Sequence, residues 1–240
     1  MSVVLKTRKI PSRHQPRGFR ILHDDAAIIV GEKAPGLLTV RAPYEREETV
    51  HHALNLYVRK GNSKSRQCVF VVHRLDRETS GLLVFAKTPE AQFFLKDNWD
   101  KTEKIYHAVV HGRMSRKEGL IESHLLEDED YRVRSVDQED GGKLARTQYR
   151  VLEETHRFSL VEVHLLTGRK NQIRVHFAES GHPIVGDSLY GLKATHYPRL
   201  ALHASRLSFL HPVTGERLAF ESRLPHFFTT LLAPVSGPRS

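Results

Sequence analysis

The chain is poor in cysteine, in long apolar runs and, over its first twenty residues, in acidic side chains. Its single cysteine, Cys68, cannot form an intrachain disulfide, which excludes a disulfide-stabilised secreted scaffold and a cysteine-rich metal site. No apolar run reaches the ~20 residues that a membrane-spanning helix requires, and the basic start lacks the apolar segment of a secretory signal. These absences predict a cytoplasmic protein.

Positive charge is what the chain has in excess. Lys and Arg number 37 against 28 Asp and Glu, which gives a formal net charge of +9 over 240 residues. Residues 1–20 hold +6 of this charge, because they contain six bases and no acid. We therefore expect a flexible basic arm over residues 1–19 that is attracted to phosphates, although a tail that only aids solubility would have the same composition. Residues 20–232 are expected to form a single folded domain, followed by a disordered tail over 233–240.

The hydrophobic pattern predicts strands and helices that alternate irregularly. Because several connections are short enough for antiparallel pairing, the pattern predicts an α+β fold with a mixed, mainly antiparallel sheet and packed helices. The helices are predicted over residues 49–60, from Thr88-Pro89 onward, over 169–180 and near 227–231. The strands are predicted over residues 19–23, 27–30, 68–72, 82–86, 105–110, 147–152, 158–165, 200–210 and 217–220.

The most informative stretch runs from His73 to Gly81, between two apolar strands. A polar loop held between rigid elements is a common place for catalytic groups. This loop carries the carboxylate of Asp76 among two arginines and a histidine, and nearby cations favour its ionised form. An ionised carboxylate can act as a nucleophile or a base. The alternative is a structural ion pair, which is the more frequent role of an Arg-x-Asp sequence in a loop.

The string from His73 to Lys87, HRLDRETSGLLVFAK, closely resembles the active-site motif of the RluA-type pseudouridine synthases. The resemblance implies a single catalytic domain that isomerises specific uridines in structured RNA, either tRNA or rRNA, to pseudouridine by base flipping. It also implies a monomer that needs no cofactor and no metal. Other segments resemble the family in the same order, namely residues 21–39, 104–112, 142–152, 166–176, 181–191 and 202–216.

The resemblance also assigns catalytic roles. Asp76 would be the essential carboxylate, which either adds to C1′ or assists proton removal at the sugar. Arg174 would be its guanidinium partner, since a bidentate pair holds both the charge and the direction of a carboxylate. Tyr106 would lie against the uracil ring, whereas its spacing alone would fit an ordinary aromatic in a buried strand.

Five further cations are predicted to contact RNA. Arg74 matches a family position that fills the stack vacated by a flipped base, and the alternative is a surface arginine paired with an acid. Phosphate contacts are expected from Lys33, Arg169, Lys170 and Arg20.

Some segments depart from this pattern or should avoid the RNA. Asn171 stands where the family usually has histidine, and residues 32–36 shift the usual proline of the opening motif. Both departures bear on local geometry and RNA preference. The acidic stretches 126–130 and 137–142 are predicted to be exposed loops that face away from RNA.

Two other functions are open at this point. The first is a catalytically silent RNA-binding protein with the same fold, against which Asp76, Tyr106 and Arg174 are all present. The second is a carboxylate-dependent hydrolase such as a glycosidase, which usually needs two acids across the scissile bond. The resemblance assigns no second acid to the scissile bond.

Overall fold

The computed structural model describes residues 3–4, 15–41, 49–193 and 197–233. The chain divides into two compact units. Unit 1 contains the residues up to Lys104 and those from Ala204 to Ser222, and unit 2 contains the remaining residues. The predicted arm, residues 1–19, lies largely outside the described residues, as do residues 234–240 of the predicted tail.

The helices and strands follow one another irregularly. The helices are α1 (Val50–Arg59), α2 (Pro89–Asp97), α3 (Gln172–Glu179) and α4 (His226–Leu232). The strands are β1 (Val3–Val4), β2 (Phe19–Asp24), β3 (Ile28–Lys33), β4 (Phe70–Val71), β5 (Ser80–Ala86), β6 (Glu103–His111), β7 (Glu118–Glu127), β8 (Val133–Val136), β9 (Lys143–Glu154), β10 (Phe158–Leu165), β11 (Leu202–Leu210) and β12 (Arg217–Glu221).

Capping residues determine where α1 begins and ends. The Thr49 hydroxyl accepts a hydrogen bond from the His52 N–H, which satisfies one of the donors that the first helical turn leaves unpaired. The apolar positions Val50, Leu54 and Val58 share the buried face. After Arg59 the backbone turns left-handed at Lys60 (φ 49°) and Gly61 (φ 76°). The predicted helix over residues 49–60 is therefore confirmed.

The strands of unit 1 lie in the order β2-β3-β5-β11, and β12 pairs with β11. Every registered pair among these strands is antiparallel, whereas β1 pairs with β12 in parallel through Val3 and Leu218. The seven residues of β5 are all buried, and Val84 packs in a core cluster with Ile28, Leu95 and Phe209. The predicted mixed, mainly antiparallel sheet with packed helices is confirmed.

Unit 2 has the strand order β6-β10-β9-β7-β8, in which every registered pair is antiparallel. Val175 of α3 packs in a small core cluster with Leu125, Val133 and Ala145 of these strands. The prediction of a loop over residues 126–130 is partly wrong, because Leu126 and Glu127 belong to β7. None of the described helices is long and apolar enough to cross a membrane.

Candidate active site

The loop that carries Asp76 joins β4 to β5, and its backbone is tied to neighbouring segments of unit 1. Both backbone polar groups of Leu75 bind the Thr39 hydroxyl. The Leu75 N–H donates to this hydroxyl (3.2 Å), and the Leu75 carbonyl accepts from it (2.9 Å). The Arg77 carbonyl accepts from the Gly36 N–H at 2.9 Å. The Asp76 carbonyl accepts from the Thr79 N–H at 3.2 Å. The backbone on both sides of the half-buried Asp76 is therefore fixed.

Lys33 contributes a second anchor for this loop. Its side chain is 1 % exposed, and its ammonium donates to the carbonyls of Arg77 (2.7 Å), Leu37 (2.8 Å) and Ala34 (2.9 Å). An ammonium has three N–H donors, and each of them meets a carbonyl here. The prediction that Lys33 contacts phosphate is therefore wrong, because the residue is buried and its donors are used within the protein.

His73 is a neutral, structural residue at the start of the loop. Its Nε2 accepts a hydrogen bond from the Val84 N–H at 3.2 Å, and its ring lies 4.6 Å from that of Trp99. Burial, with a smaller contribution from the Lys104 ammonium, lowers the pKa of His73 to about 3. His73 is thus uncharged at neutral pH and joins the loop to β5.

Gly81 sets the path of the chain where the loop enters β5. Its φ is +114°, and a Cβ at this position would lie 2.2 Å from the Ala204 carbonyl oxygen. Only glycine fits such a close backbone approach.

Arg74, on the other side of Asp76, is exposed. The described residues include no ion pair between Arg74 and Glu78.

In unit 2, Arg174 forms a buried ion pair with Asp187. The guanidinium donates from Nε to Oδ2 at 2.7 Å and from Nη2 to Oδ1 at 2.8 Å. The side chains are 9 % and 0 % exposed, respectively. Burial favours the neutral acid, but the guanidinium and the N–H groups of Leu189 and Tyr190 outweigh it, so the pKa of Asp187 lies below its usual range.

Two further side chains contact Arg174. Its guanidinium lies over the Tyr190 ring, 5.3 Å from the centroid, and its Nη1 donates to Asn171 Oδ1 at 3.3 Å. The Tyr190 hydroxyl accepts from the Asn171 amide (3.2 Å) and from the Val133 N–H (3.0 Å). Asn171 has a left-handed backbone (φ 52°), a conformation that asparagine tolerates well. The amide that replaces the usual histidine therefore bridges Arg174 and Tyr190.

The structure also places the other predicted residues. Tyr106 lies in β6 opposite Val163, with 8 % of its surface exposed. Arg20 is paired with Glu32 at 2.6 Å. Lys170 is paired with Glu127.

Asp76 belongs to unit 1, whereas Tyr106 and Arg174 belong to unit 2. Arg169 is exposed, and its Nε donates to the Leu144 carbonyl at 3.0 Å. The sequence pattern assigns no role to Asp187, although this residue lies in the segment 181–191 that resembles the family. A pattern of types and spacings does not show which side chain faces a buried guanidinium.

Comparison with known proteins matches residues of both units to one protein family. The family described as RNA pseudouridylate synthase matches residues 27–179. A protein of Nitrosomonas europaea named ribosomal large subunit pseudouridine synthase D is 36% identical over 228 residues, which cover 90% of this chain and 65% of that protein. An uncharacterized RNA pseudouridine synthase of Bacillus subtilis, YhcT, is 37% identical over 85% of this chain and 68% of its own length.

Solved structures give the same result for the fold. Human RNA pseudouridylate synthase domain containing 4 superposes with a TM-score of 0.73 at 25% identity, over 88% of this chain and 90% of that one. Human RNA pseudouridylate synthase domain containing 1 gives a TM-score of 0.70 at 23% identity, over 90% of this chain and 86% of that one, and this supports the fold alone. The chain spans 62% to 65% of the length of several of the curated relatives that it matches.

Proposed function

Since this chain belongs to the RNA pseudouridylate synthase family, as its resemblance to the RluA-type enzymes predicted, we propose that it converts specific uridines in structured RNA to pseudouridine. The observation that carries the proposal is the loop around Asp76. It lies within the matched residues, and hydrogen bonds fix its backbone on both sides of the carboxylate. A pre-organised backbone of this kind is what a catalytic carboxylate requires.

The proposed reaction rearranges bonds within one nucleotide. The N1–C1′ bond breaks, the uracil turns, and C5 bonds to C1′; the hydrogen on C5 leaves as a proton, and N1 takes up a proton. No redox change occurs, so the reaction requires no redox cofactor. Asp76 either adds to C1′ or assists proton removal at the sugar, and both routes need an ionised carboxylate at the anomeric carbon.

Arg174 and Tyr106 are proposed to act with Asp76. The two hydrogen bonds from Arg174 to Asp187 support the role of Arg174, because they fix the plane of a guanidinium that would keep Asp76 ionised. Tyr106 is proposed to stack on the uracil. Exposed Arg74 is proposed to fill the gap that a flipped base leaves, since a planar guanidinium stacks on bases.

The substrate is proposed to be rRNA or tRNA. The printed name of the Nitrosomonas relative concerns the large ribosomal subunit, which makes the large-subunit rRNA the first RNA to test. Arg20, Arg169 and Lys170 stay proposed phosphate contacts, although each of them has a partner within the protein. A cytoplasmic monomer that uses neither metal nor other cofactor is part of the same proposal.

Release of tritium tests the reaction directly. RNA labelled with [5-³H]uridine loses its label to water when C5 bonds to C1′, whereas hydrolysis of the glycosidic bond gives labelled free uracil. Tritium release, together with pseudouridine in the nuclease digest, is the expected result. Free uracil would indicate a hydrolase, binding without either product would indicate a silent RNA-binding protein, and either result would refute the proposal.

A further inference from the structure

A second concentration of positive charge lies within the folded chain. Residues 49–75 contain five Lys and Arg and no Asp or Glu, so they hold +5. Residues 1–20 hold +6 of the total of +9, which leaves a net charge of −2 on the rest of the chain. The residues outside these two segments therefore carry no net positive charge when they are taken together.

Four of these cations lie in residues 59–66 (RKGNSKSR), which begin at the last residue of α1 and continue toward β4; we call this segment the basic loop. Lys60, Lys64 and Arg66 are exposed. The loop is ordered by successive turns, in which the Asn62 N–H donates to the Arg59 carbonyl (2.9 Å) and the Ser65 N–H donates to the Asn62 carbonyl (3.1 Å). The cations therefore stand on a fixed backbone.

The exposed cations of the basic loop differ from several exposed cations of unit 2 in their ion pairing. Among the described residues, Lys60, Lys64 and Arg66 form no ion pair. By contrast, Lys117, Arg146 and Arg150 of unit 2 are paired with Glu154, Glu122 and Glu162. A cation that is paired with an acid has less to offer a phosphate, since the two anions compete for the same donors.

We propose that the basic loop binds the phosphate backbone of the RNA substrate at a distance from the catalytic loop. The inference rests on the proposed function. Helix α1 begins beside the catalytic loop, since Val50 donates to the Leu38 carbonyl and the adjacent Thr39 binds Leu75. Its ten residues rise about 15 Å, or roughly four nucleotide steps at the ~3.4 Å axial spacing of a duplex strand.

The composition of the loop favours RNA over a membrane. The segment contains no apolar side chain that would insert into lipid, while its serines and Asn62 add the neutral donors that also contact phosphates. The loop contacts are expected to raise affinity for any sequence, because phosphate contacts carry no sequence information.

Salt-dependent binding of the full-length protein tests this proposal. The variant Lys60→Gln, Lys64→Gln, Arg66→Gln is compared with the wild type on a structured fragment of large-subunit rRNA. The loss of three phosphate contacts should lower the slope of log Kd against log salt by about 2 to 3. Between 50 and 200 mM salt the wild type should therefore lose about 20- to 40-fold more affinity than the variant.

A matched control removes the same charge elsewhere. The variant Lys117→Gln, Arg146→Gln, Arg150→Gln has the same net charge, and its substituted cations are 63 %, 49 % and 61 % exposed. It should keep the wild-type slope. On an RNA hairpin too short to reach the basic loop, the loop variant and the wild type should bind equally, and circular dichroism should show that all three proteins are folded.

Three results would overturn the proposal. The first is an unchanged slope of log Kd against log salt in the loop variant, and the second is an equal decrease of this slope in the control variant. The third is a loop variant that no longer binds phosphatidylserine vesicles but binds RNA as the wild type does. The slopes report the affinity for RNA and not the formation of product, so these results are independent of the proposed function. Absence of tritium release from every RNA would refute that function, whereas the slopes would still decide the role of the loop.

Discussion

Replacing Asp187 with asparagine isolates the charge of the buried ion pair. Asparagine has nearly the same size, and its oxygen can still accept the Leu189 and Tyr190 N–H groups, which now bind Asp187 Oδ1 at 2.9 Å. The substitution removes the negative charge, and its amide nitrogen presents a donor to the Arg174 guanidinium. The Arg174 guanidinium, whose side chain is 9 % exposed, then loses the negative charge that Asp187 supplies.

The expected cost follows from that burial. Removal of one partner from a buried ion pair typically lowers the free energy of unfolding by about 3–5 kcal/mol. For a chain of this size, each kcal/mol corresponds to about 2–4 °C, so the melting temperature should fall by about 6–20 °C at pH 7. The control is Glu122→Gln, which breaks an exposed pair with Arg146 and should cost at most about 1 kcal/mol.

The pH dependence gives a second measurement of the same pair. The pKa of Asp187 is lowered in the folded state, so its contribution to stability is complete above its unfolded pKa of about 3.8 and is lost as the pH falls through the folded pKa. The free energy of unfolding in urea should therefore differ between wild type and Asp187→Asn by a constant amount from pH 7 to about 5. Below about pH 4 the two free energies should approach each other.

A double variant separates the stability of the pair from its proposed catalytic role. Arg174→Met with Asp187→Leu should regain much of the lost stability, because apolar residues often replace a buried ion pair without cost. The double variant should release no tritium, since it lacks the proposed guanidinium partner of Asp76. If the free energy of unfolding of Asp187→Asn lies within about 1 kcal/mol of the wild-type value at pH 7, the ion pair does not stabilise the fold as expected.

Three other substitutions or conditions test different groups. Asp76→Asn should fold and bind RNA but abolish tritium release, and substantial release would exclude its role as nucleophile or base. Lys33→Met should lower the free energy of unfolding by about 3 kcal/mol or more, because three carbonyls lose a charged donor; a wild-type urea midpoint would contradict this. His176 and His203 are 1% and 4% exposed, and burial lowers the pKa of each to about 4. The unfolded chain therefore binds protons that the folded one does not, and stability should fall below about pH 6.5 by about 2.5 kcal/mol per histidine at pH 4.5. Stability that stays constant over this range would contradict the pKa values.

Some elements followed directly from short-range patterns. Helix α1 lies within the predicted range 49–60, with Thr49 as its N-cap. The Thr88-Pro89 pair begins α2 as predicted, and the Thr88 hydroxyl accepts a hydrogen bond from the Ala91 N–H at 3.1 Å. The continuous apolar run of β5 is buried throughout. These features depend on a few adjacent residues, which is why their sequence was sufficient to predict them.

Other elements depended on neighbours distant in sequence. Strands β7 and β8 escaped prediction because β7 is half-exposed and rich in polar residues, and it is held by pairing with β9. Helix α3 begins at Gln172 rather than at residue 169, since the left-handed backbone of Asn171 cannot belong to a helix. Lys170 was expected to contact RNA away from the acidic stretch, yet its ammonium is bound to Glu127.

The family and the order of its motifs could be identified from residue types and their spacing, because they depend on nothing else. Which charged side chains are exposed and which are paired within the protein became visible only in the folded chain. Burial turned Lys33 from a predicted phosphate contact into an anchor of the Asp76 loop, and it gave the Arg174 guanidinium a buried carboxylate partner in Asp187. The strength of a charge depends on its solvent exposure and on the groups opposite it, and both are fixed only when distant segments pack together.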